Sequence, residues 1–404
     1  MLKIVLASSL TLSLLSAISI DELVNSTFEN SYDLKSVEKS IEVANQQISI
    51  AKKWQNPVLS MGINDVWIND FSSRNKEAMQ ASFIGISQVI PTGNKLDIKE
   101  KIASKEKNIK LYDFEDKKLE LTSKINELVY NILLSEEKYK LLEEYEKNLE
   151  KLESLFGSLY KYQKATQNEI INSQISTVEL KIQKQNLKNL IDNSYLKLEQ
   201  ITYTKIDKID EKIDIKKVDL LIENSSHPKF KSLEESSSKQ QSIAELERAK
   251  KIPDVQVSLA YFQRDDKFND YVNMAVSIPL PIYDTENVTR VQAKMSANET
   301  NDKLEQLKHN FEIQSKILKN NLNNAYENYN LIGQKIIPLK EKIQKNIETY
   351  NSFDDVKPQE SIKNLNDLIT YQMKAIDEQQ KYYEAYSGLI YYANKGIKWL
   401  KNYL

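Results

Sequence analysis

Residues 252 to 284 read IPDVQVSLAYFQRDDKFNDYVNMAVSIPLPIYD. Val255, Val257, Leu259 and Tyr261 alternate with Asp254, Gln256, Ser258 and Ala260. After the polar stretch from Arg264 to Asp270, Val272, Met274, Val276, Ile278 and Leu280 alternate with Tyr271, Asn273, Ala275 and Ser277. A period of two is that of a strand, so the stretch predicts a hairpin with each set on its own face. Strands of about ten residues have the length and pattern of a membrane-spanning β-hairpin. A soluble hairpin lying on helices has the same pattern, and these residues alone fit both.

The rest of the chain limits what can surround that hairpin. Charged residues make up 28% of 404 residues, with only 7 Gly and 8 Pro, a composition that favours long helices over a β-sandwich or an α/β enzyme. Lys+Arg 56 against Asp+Glu 58 is close to balance, and no basic tract points to nucleic acid. The only long apolar run is at the N-terminus, where Lys3 precedes Ile4–Ala17 and small residues follow. This pattern predicts a secretory signal peptide over residues 1–19 and no mature transmembrane helix. Without Cys, no disulfide, thiolate metal site or lipidated N-terminal cysteine is available. Export then leads to the periplasm, the outer membrane or the medium.

Taken in order, the chain reads as two similar halves. Residues 20–54 are helical, broken near Asn30–Asp33, and end at Asn56-Pro57. Leu59, Met61, Ile63 and Trp67 share one side of a strand, and a second strand carries Phe83, Ile84, Ile86 and Val89 before Pro91-Thr92-Gly93. From Lys95 to about Lys161 there is no Pro, which at about 1.5 Å per residue allows a helix approaching 100 Å. Its apolar positions recur at spacings of three, four and seven, as in coiled-coil-like packing. A turn near Gln163–Gln167 leads to a helix from about Glu169 to Tyr203. The second half has a short helix at Val218–Ser225, a helix at Lys229–Lys251 opened by His227-Pro228, the hairpin, a long helix to about Tyr350, a turn in Asn351–Glu360 and a last helix to Leu404. Ala51-Lys-Lys-Trp-Gln-Asn-Pro57 corresponds to Ala249-Lys-Lys-Ile-Pro253, and Ser87-Gln-Val-Ile-Pro91 to Ser277-Ile-Pro-Leu-Pro281. The expected division is a signal peptide at 1–19 and two repeats. The repeat 20–210 has a β-hairpin at 58–90 and a helical hairpin at 95–203. The repeat 211–404 has a β-hairpin at 254–282 and a helical hairpin at 284–400.

This order of motifs resembles the TolC-like outer-membrane efflux protein family. The residues that carry the likeness are Ile41–Ala51 with Asn56-Pro57, Ser87–Gly93, His227-Pro228, Ala249 to Val257, and Ser277-Ile-Pro279-Leu-Pro281. The resemblance implies a mostly α fold with a β-barrel part. Long α-helical hairpins form an α-barrel, and four strands per chain contribute to a trimeric twelve-stranded outer-membrane β-barrel. It further implies a homotrimer embedded in outer-membrane lipid, a periplasmic adaptor (membrane fusion) protein and an inner-membrane pump of RND or ABC type. The implied function is a passive export duct in a tripartite efflux or type I secretion system, with no enzyme activity and no cofactor. Physics reaches part of this without the family: four strands are too few to close a membrane barrel, whose minimum is about eight, and open edges cannot face lipid. The alternative is a soluble periplasmic coiled-coil adaptor whose hairpins lie on its helices.

The family lines the closed periplasmic tip with acids at the start of the last helix. By that resemblance Asp367 matches the first tip acid, Thr370 stands where the second acid belongs, and Lys363 matches a basic residue four positions earlier. Glu169 is the counterpart in the first hairpin, and Asp354 and Asp355 lie in the adjoining turn. Asp367 also fits an ordinary acid on a solvated helix, and Lys363 is placed to pair with it. From the alternation, Val255, Val257, Leu259 and Tyr261 form the expected lipid-facing set. Trp54, Trp67, Tyr261, Phe262 and Tyr283 lie near strand ends and fit an interfacial girdle or ordinary packing. Tyr382, Tyr383, Tyr386, Tyr391 and Tyr392 fit helix packing, and His227 a helix-start residue. His227 and His309 are the only histidines, and no metal-ligand spacing, phosphate loop or nucleophile elbow is present.

Overall fold

A computed structural model describes residues 18–71, 73–217, 226–350 and 358–393. The chain forms two compact units. One gathers residues 36–114 and 228–308 and contains the sheet; the other gathers 1–35, 115–227 and 309–404 and is helical. Each unit takes segments from both halves of the sequence. The signal-peptide residues up to 17, the expected short helix at 218–225, most of the turn at 351–357 and the end of the last helix lie outside the described residues.

In the sheet unit, β1 (Val58–Asn64), β2 (Ala81–Ile90), β3 (Val255–Gln263) and β4 (Tyr271–Ser277) form one antiparallel sheet in sequence order. The two hairpins are joined through β2 and β3, where Ile86 faces Leu259 and Ile84 faces Tyr261. β4 is shorter than its alternation predicts. Pro279 and Pro281 have no N–H to give a ladder, so Ile278 and Leu280 fall beyond the strand. At the opposite end of the sheet from the hairpin loops, the strands connect to helices α2 (Tyr32–Ala51), α3 (Lys95–Lys161), α5 (Pro228–Lys250) and α6 (Thr285–Leu331).

The link between β2 and α3 is tied to the start of β3. The Thr92 N–H donates to Asp254 Oδ1 at 2.9 Å, and Lys95 Nζ lies 2.6 Å from the same oxygen. The Thr92 hydroxyl donates to the Pro253 carbonyl at 2.8 Å. Gly93 has φ +67°, and a Cβ there would sit 3.2 Å from the Ala249 carbonyl, so both its conformation and its space favour glycine. The Pro-Thr-Gly and Pro-Asp motifs of the two halves therefore meet in one junction. Further along, Lys101 with Glu245, Lys105 with Glu235 and Lys239 with Glu106 pair α3 with α5. Charged helix faces that look solvated in the sequence are thus partly matched across helices.

The helical unit contains α1 (Ile20–Asn30), most of α3, α4 (Gln167–Thr202), the later part of α6, α7 (Ile337–Tyr350) and α8 (Pro358–Tyr392). Ser19 and Glu22 form a capping box at the start of α1. A parallel bridge between Ile18 and Ile209 holds the segment before α1 against the chain that follows α4. The core is built on Ile20, Leu23, Ile125, Ile132, Leu134, Leu198 and Leu389, all fully buried or nearly so. Into it α8 inserts Tyr382, Tyr383 and Tyr386, the packing role the sequence predicts. Tyr130 stacks on Tyr383 with centroids 3.7 Å apart, and the Tyr382 hydroxyl donates to the Lys216 carbonyl at 2.9 Å. Burial pushes the Tyr382 phenol up to about 12 and raises those of Tyr383 and Tyr386 as well.

The second long helix is not continuous. Residues Ile332–Ile336 form a π-turn between α6 and α7, with the Ile337 N–H bonded to the Ile332 carbonyl. The cause is Pro338, which has no N–H and whose ring collides with the carbonyl four residues back in a regular α-helix. Widening the preceding turn removes the clash without ending the helix.

Candidate functional site

Residues singled out by the sequence fall in two places, the sheet and the α7–α8 pair. In the sheet, the register aligns Leu59, Ile86, Leu259 and Met274 in one row across four strands, and Met61, Ile84, Tyr261 and Val272 in the next. Val257 lies between Gln88 and Val276, and Val255 faces Ile90. Val255, Val257, Leu259 and Tyr261 therefore share a face with the apolar residues of the other three strands. That face is uncovered in the single chain: Met61 is 70% and Met274 77% exposed. A contiguous exposed apolar surface of this kind requires lipid or a partner to cover it.

The opposite face is small or polar. One row is Ser60, Gly85, Ala260 and Asn273, and the next is Val58, Ser87, Ser258 and Ala275. At the hairpin-loop end comes a row of Gly62, Phe83, Phe262 and Tyr271. Phe262 thus points away from the apolar face and is buried between its neighbours' rings, so it does not belong to the girdle the sequence allowed. Its neighbour Tyr261 is on the apolar face, and its hydroxyl donates to the Asp270 carboxylate. Near the same end, Lys76 Nζ sits 5.1 Å from the Trp67 ring centroid and pairs with Asp70. Trp54 and Tyr283 lie exposed near the other end of the strands.

On α8, the Asp367 carboxylate is held by Lys340 of α7, with Oδ2 and Nζ 2.6 Å apart. Lys363, the partner that spacing on one helix favoured, is exposed and does not take that place. Lys340 is the more buried of the pair, so a carboxylate across the helix interface offsets a larger loss of hydration than Lys363 would incur in water. Asn364 adds two bonds to α7, from Nδ2 to the Lys340 carbonyl at 3.3 Å and to Gln344 Oε1 at 2.9 Å. The Thr370 hydroxyl turns back to the Asn366 carbonyl at 2.7 Å. Glu169 is part of a capping box at the start of α4, accepting from the Thr166 N–H at 2.6 Å. Asp354 and Asp355 lie outside the described residues. Asp377 pairs with Lys138 of α3 at 2.5 Å. Lys340, Asn364 and Gln344 carried no signal in the sequence, since nothing local fixes which turn of α7 faces which turn of α8.

Among the described residues no helix is long and apolar enough to cross a membrane, and no group of His, Cys, Asp or Glu is placed to hold a metal ion.

Residues 23–202 match the family model described as outer membrane efflux protein. Among solved structures, the CmeC outer membrane channel of Campylobacter jejuni is similar with a TM-score of 0.77 at 14% identity, over 95% of this chain and 88% of that one. The outer membrane protein VceC of Vibrio cholerae is similar with a TM-score of 0.77 at 12% identity, over 93% and 96%. The open state of the MtrE outer membrane channel of Neisseria gonorrhoeae is similar with a TM-score of 0.78 at 11% identity, over 94% and 89%. No curated protein matches the chain. At these identities the likeness is one of fold, that of channels with an α-barrel and a β-barrel part.

Proposed function

We propose that this chain, which matches the outer membrane efflux protein model over residues 23–202 and has the fold of outer membrane channels, is one of three subunits of a passive export duct. The observation that carries this reading is the sheet. It has one exposed apolar face, one small and polar face, and two outer strands, β1 and β4, that pair with only one neighbour each. Four strands with open edges are not stable in lipid, whereas three copies supply twelve and remove every edge. The helices serve as the periplasmic part of the duct, where an adaptor protein and an inner-membrane pump of RND or ABC type dock. The Asp367–Lys340 pair belongs to the narrow periplasmic end. A soluble adaptor is disfavoured by the same sheet, whose apolar face would stand in water.

Extraction and native mass measurement test this directly. The protein is expected to need detergent for extraction and to run as a trimer in mild detergent. A stable monomer, or release into buffer without detergent, overturns the reading.

A further inference from the structure

The small and polar face of the sheet has one bulky level. Across the hairpin-loop end, Phe83, Phe262 and Tyr271 stand on three neighbouring strands and stack in series. Their centroids are 5.3 Å and 4.8 Å apart and their planes are inclined by 27° and 3°. These separations match the distance between strands, so the rings rise from the sheet like plates in a rack. Each end of the rack has a close neighbour. On the β1 side, a Cβ at Gly62 would lie 2.6 Å from Phe83 Cε1, so only glycine leaves room for that ring. At Tyr271, the Arg264 guanidinium lies 5.1 Å from the ring centroid. Arg264 is itself anchored: its side chain donates to the Asn269 carbonyl and, at 3.1 Å, to the Ala78 carbonyl of the other hairpin loop. The neighbouring row on this face is Ser60, Gly85, Ala260 and Asn273.

We propose that the Phe83–Phe262–Tyr271 ladder lines the lumen and forms its narrow, apolar band at the outer mouth of the duct. The inference rests on the assignment of the apolar face to lipid, which leaves the ladder's face for the interior. Three copies place three ladders around one axis at one level. Ring faces are occupied by one another, so their edges meet passing solute. The ladder is held by the stacking of its rings and by Arg264 beside Tyr271, and it sets the bore where the adjoining row, Ser60, Gly85, Ala260 and Asn273, is too small to do so. It favours passage of apolar organic solutes over strongly hydrated ones at that level.

The chain has no cysteine, so a single introduced thiol is unique. Channels of the Tyr271→Cys variant are inserted in planar bilayers and treated with a bulky, water-soluble thiol reagent. Conductance is expected to fall in steps, to roughly half or less, as each copy is modified. Met274→Cys, on the opposite face, is expected to show no step with the same reagent. Because modification follows assembly, a purely structural role for the rings does not produce the steps. Phe262→Leu, which stays apolar but replaces the ring with a smaller side chain, is expected to conduct more than the unmodified channel. If Tyr271→Cys channels form and the reagent leaves their conductance unchanged, the ladder is not the constriction, while the export-duct reading stands. If the unsubstituted protein forms no channels at all, both fall.

Discussion

A side chain's effect here depends on which face its register places it. Val257 and Ser258 are adjacent in β3, yet one lies in the apolar row and the other opposite Ser87 and Ala275 on the small face. An Arg near the midplane of lipid costs roughly 2–4 kcal/mol. Val257→Arg is therefore expected to reduce the amount of assembled trimer well below that of Ser258→Arg, measured by gel mobility after outer-membrane extraction; equal losses would refute the assignment of faces. Asp254 offers a second residue-level test, outside the strands. Burial alone would raise its pKa, but the bonds from Lys95 and the Thr92 N–H outweigh it and hold the carboxyl below its ordinary range. A carboxyl with a lowered folded pKa stabilises the protein above its unfolded value, near 3.8, and loses that contribution as pH falls through the folded value. Thermal stability is thus expected to decline below pH 4 in the native protein and to decline less steeply in Asp254→Ala. At neutral pH that variant leaves the nearly buried Lys95 without its carboxylate, a cost of about 1–3 kcal/mol.

At the scale of elements, α7 is the least buried helix of the helical unit among the described residues. No residue of α7 with a described side chain is fully buried, and the helix is set off from α6 by the π-turn. Polar contacts from Lys340 and Gln344 to Asp367 and Asn364 help hold it to α8. A part-exposed ion pair is worth about 0–1 kcal/mol, so it adds to the contact of α7 with α8 without locking it. If these carboxylates face the duct's narrow end, the two partners have opposite effects on ion preference. Asp367→Asn is expected to weaken cation selectivity in planar bilayers, and Lys340→Gln to strengthen it by leaving the acid uncompensated. Exposed Asp302→Asn on α6 serves as the control. The same selectivity in all three variants would reduce Asp367 to a bond between helices.

For the whole molecule, the decisive feature is what one chain leaves unsatisfied. β1 and β4 are separated by two strands, about 14 Å, which is beyond the reach of any disulfide. In a ring of three copies, β4 of one chain pairs with β1 of the next. Among pairs of cysteines placed one on β1 and one on β4, on the same face, at least one is expected to crosslink neighbouring copies into covalent dimers and trimers upon oxidation. Absence of any crosslink across a full set of such pairs would exclude a closed barrel of this kind. The exposed apolar positions of α4, Ile171, Ile175, Val178 and Ile182, recur at spacings of four and three along one helix face and stay uncovered in the single chain.

The sequence by itself determined whatever depends on short-range periodicity. Alternation located the strands, because a side chain's face follows from its parity alone. A long run without Pro predicted α3 over Lys95–Lys161, as observed. The tyrosines of α8 were legible as packing residues because bulky rings on one helix stretch have few other uses. What only the tertiary structure decided involves partners distant in the chain. That β2 pairs with β3, putting Phe83 beside Phe262, depends on joining segments from the two halves. That Asp367 takes Lys340 rather than Lys363 depends on the register of two helices across a turn, where burial of Lys340 outweighs proximity in sequence. The π-turn also escaped the sequence, which reads as one long helix to about Tyr350; only the structure shows that the clash of the Pro338 ring is absorbed as one widened turn.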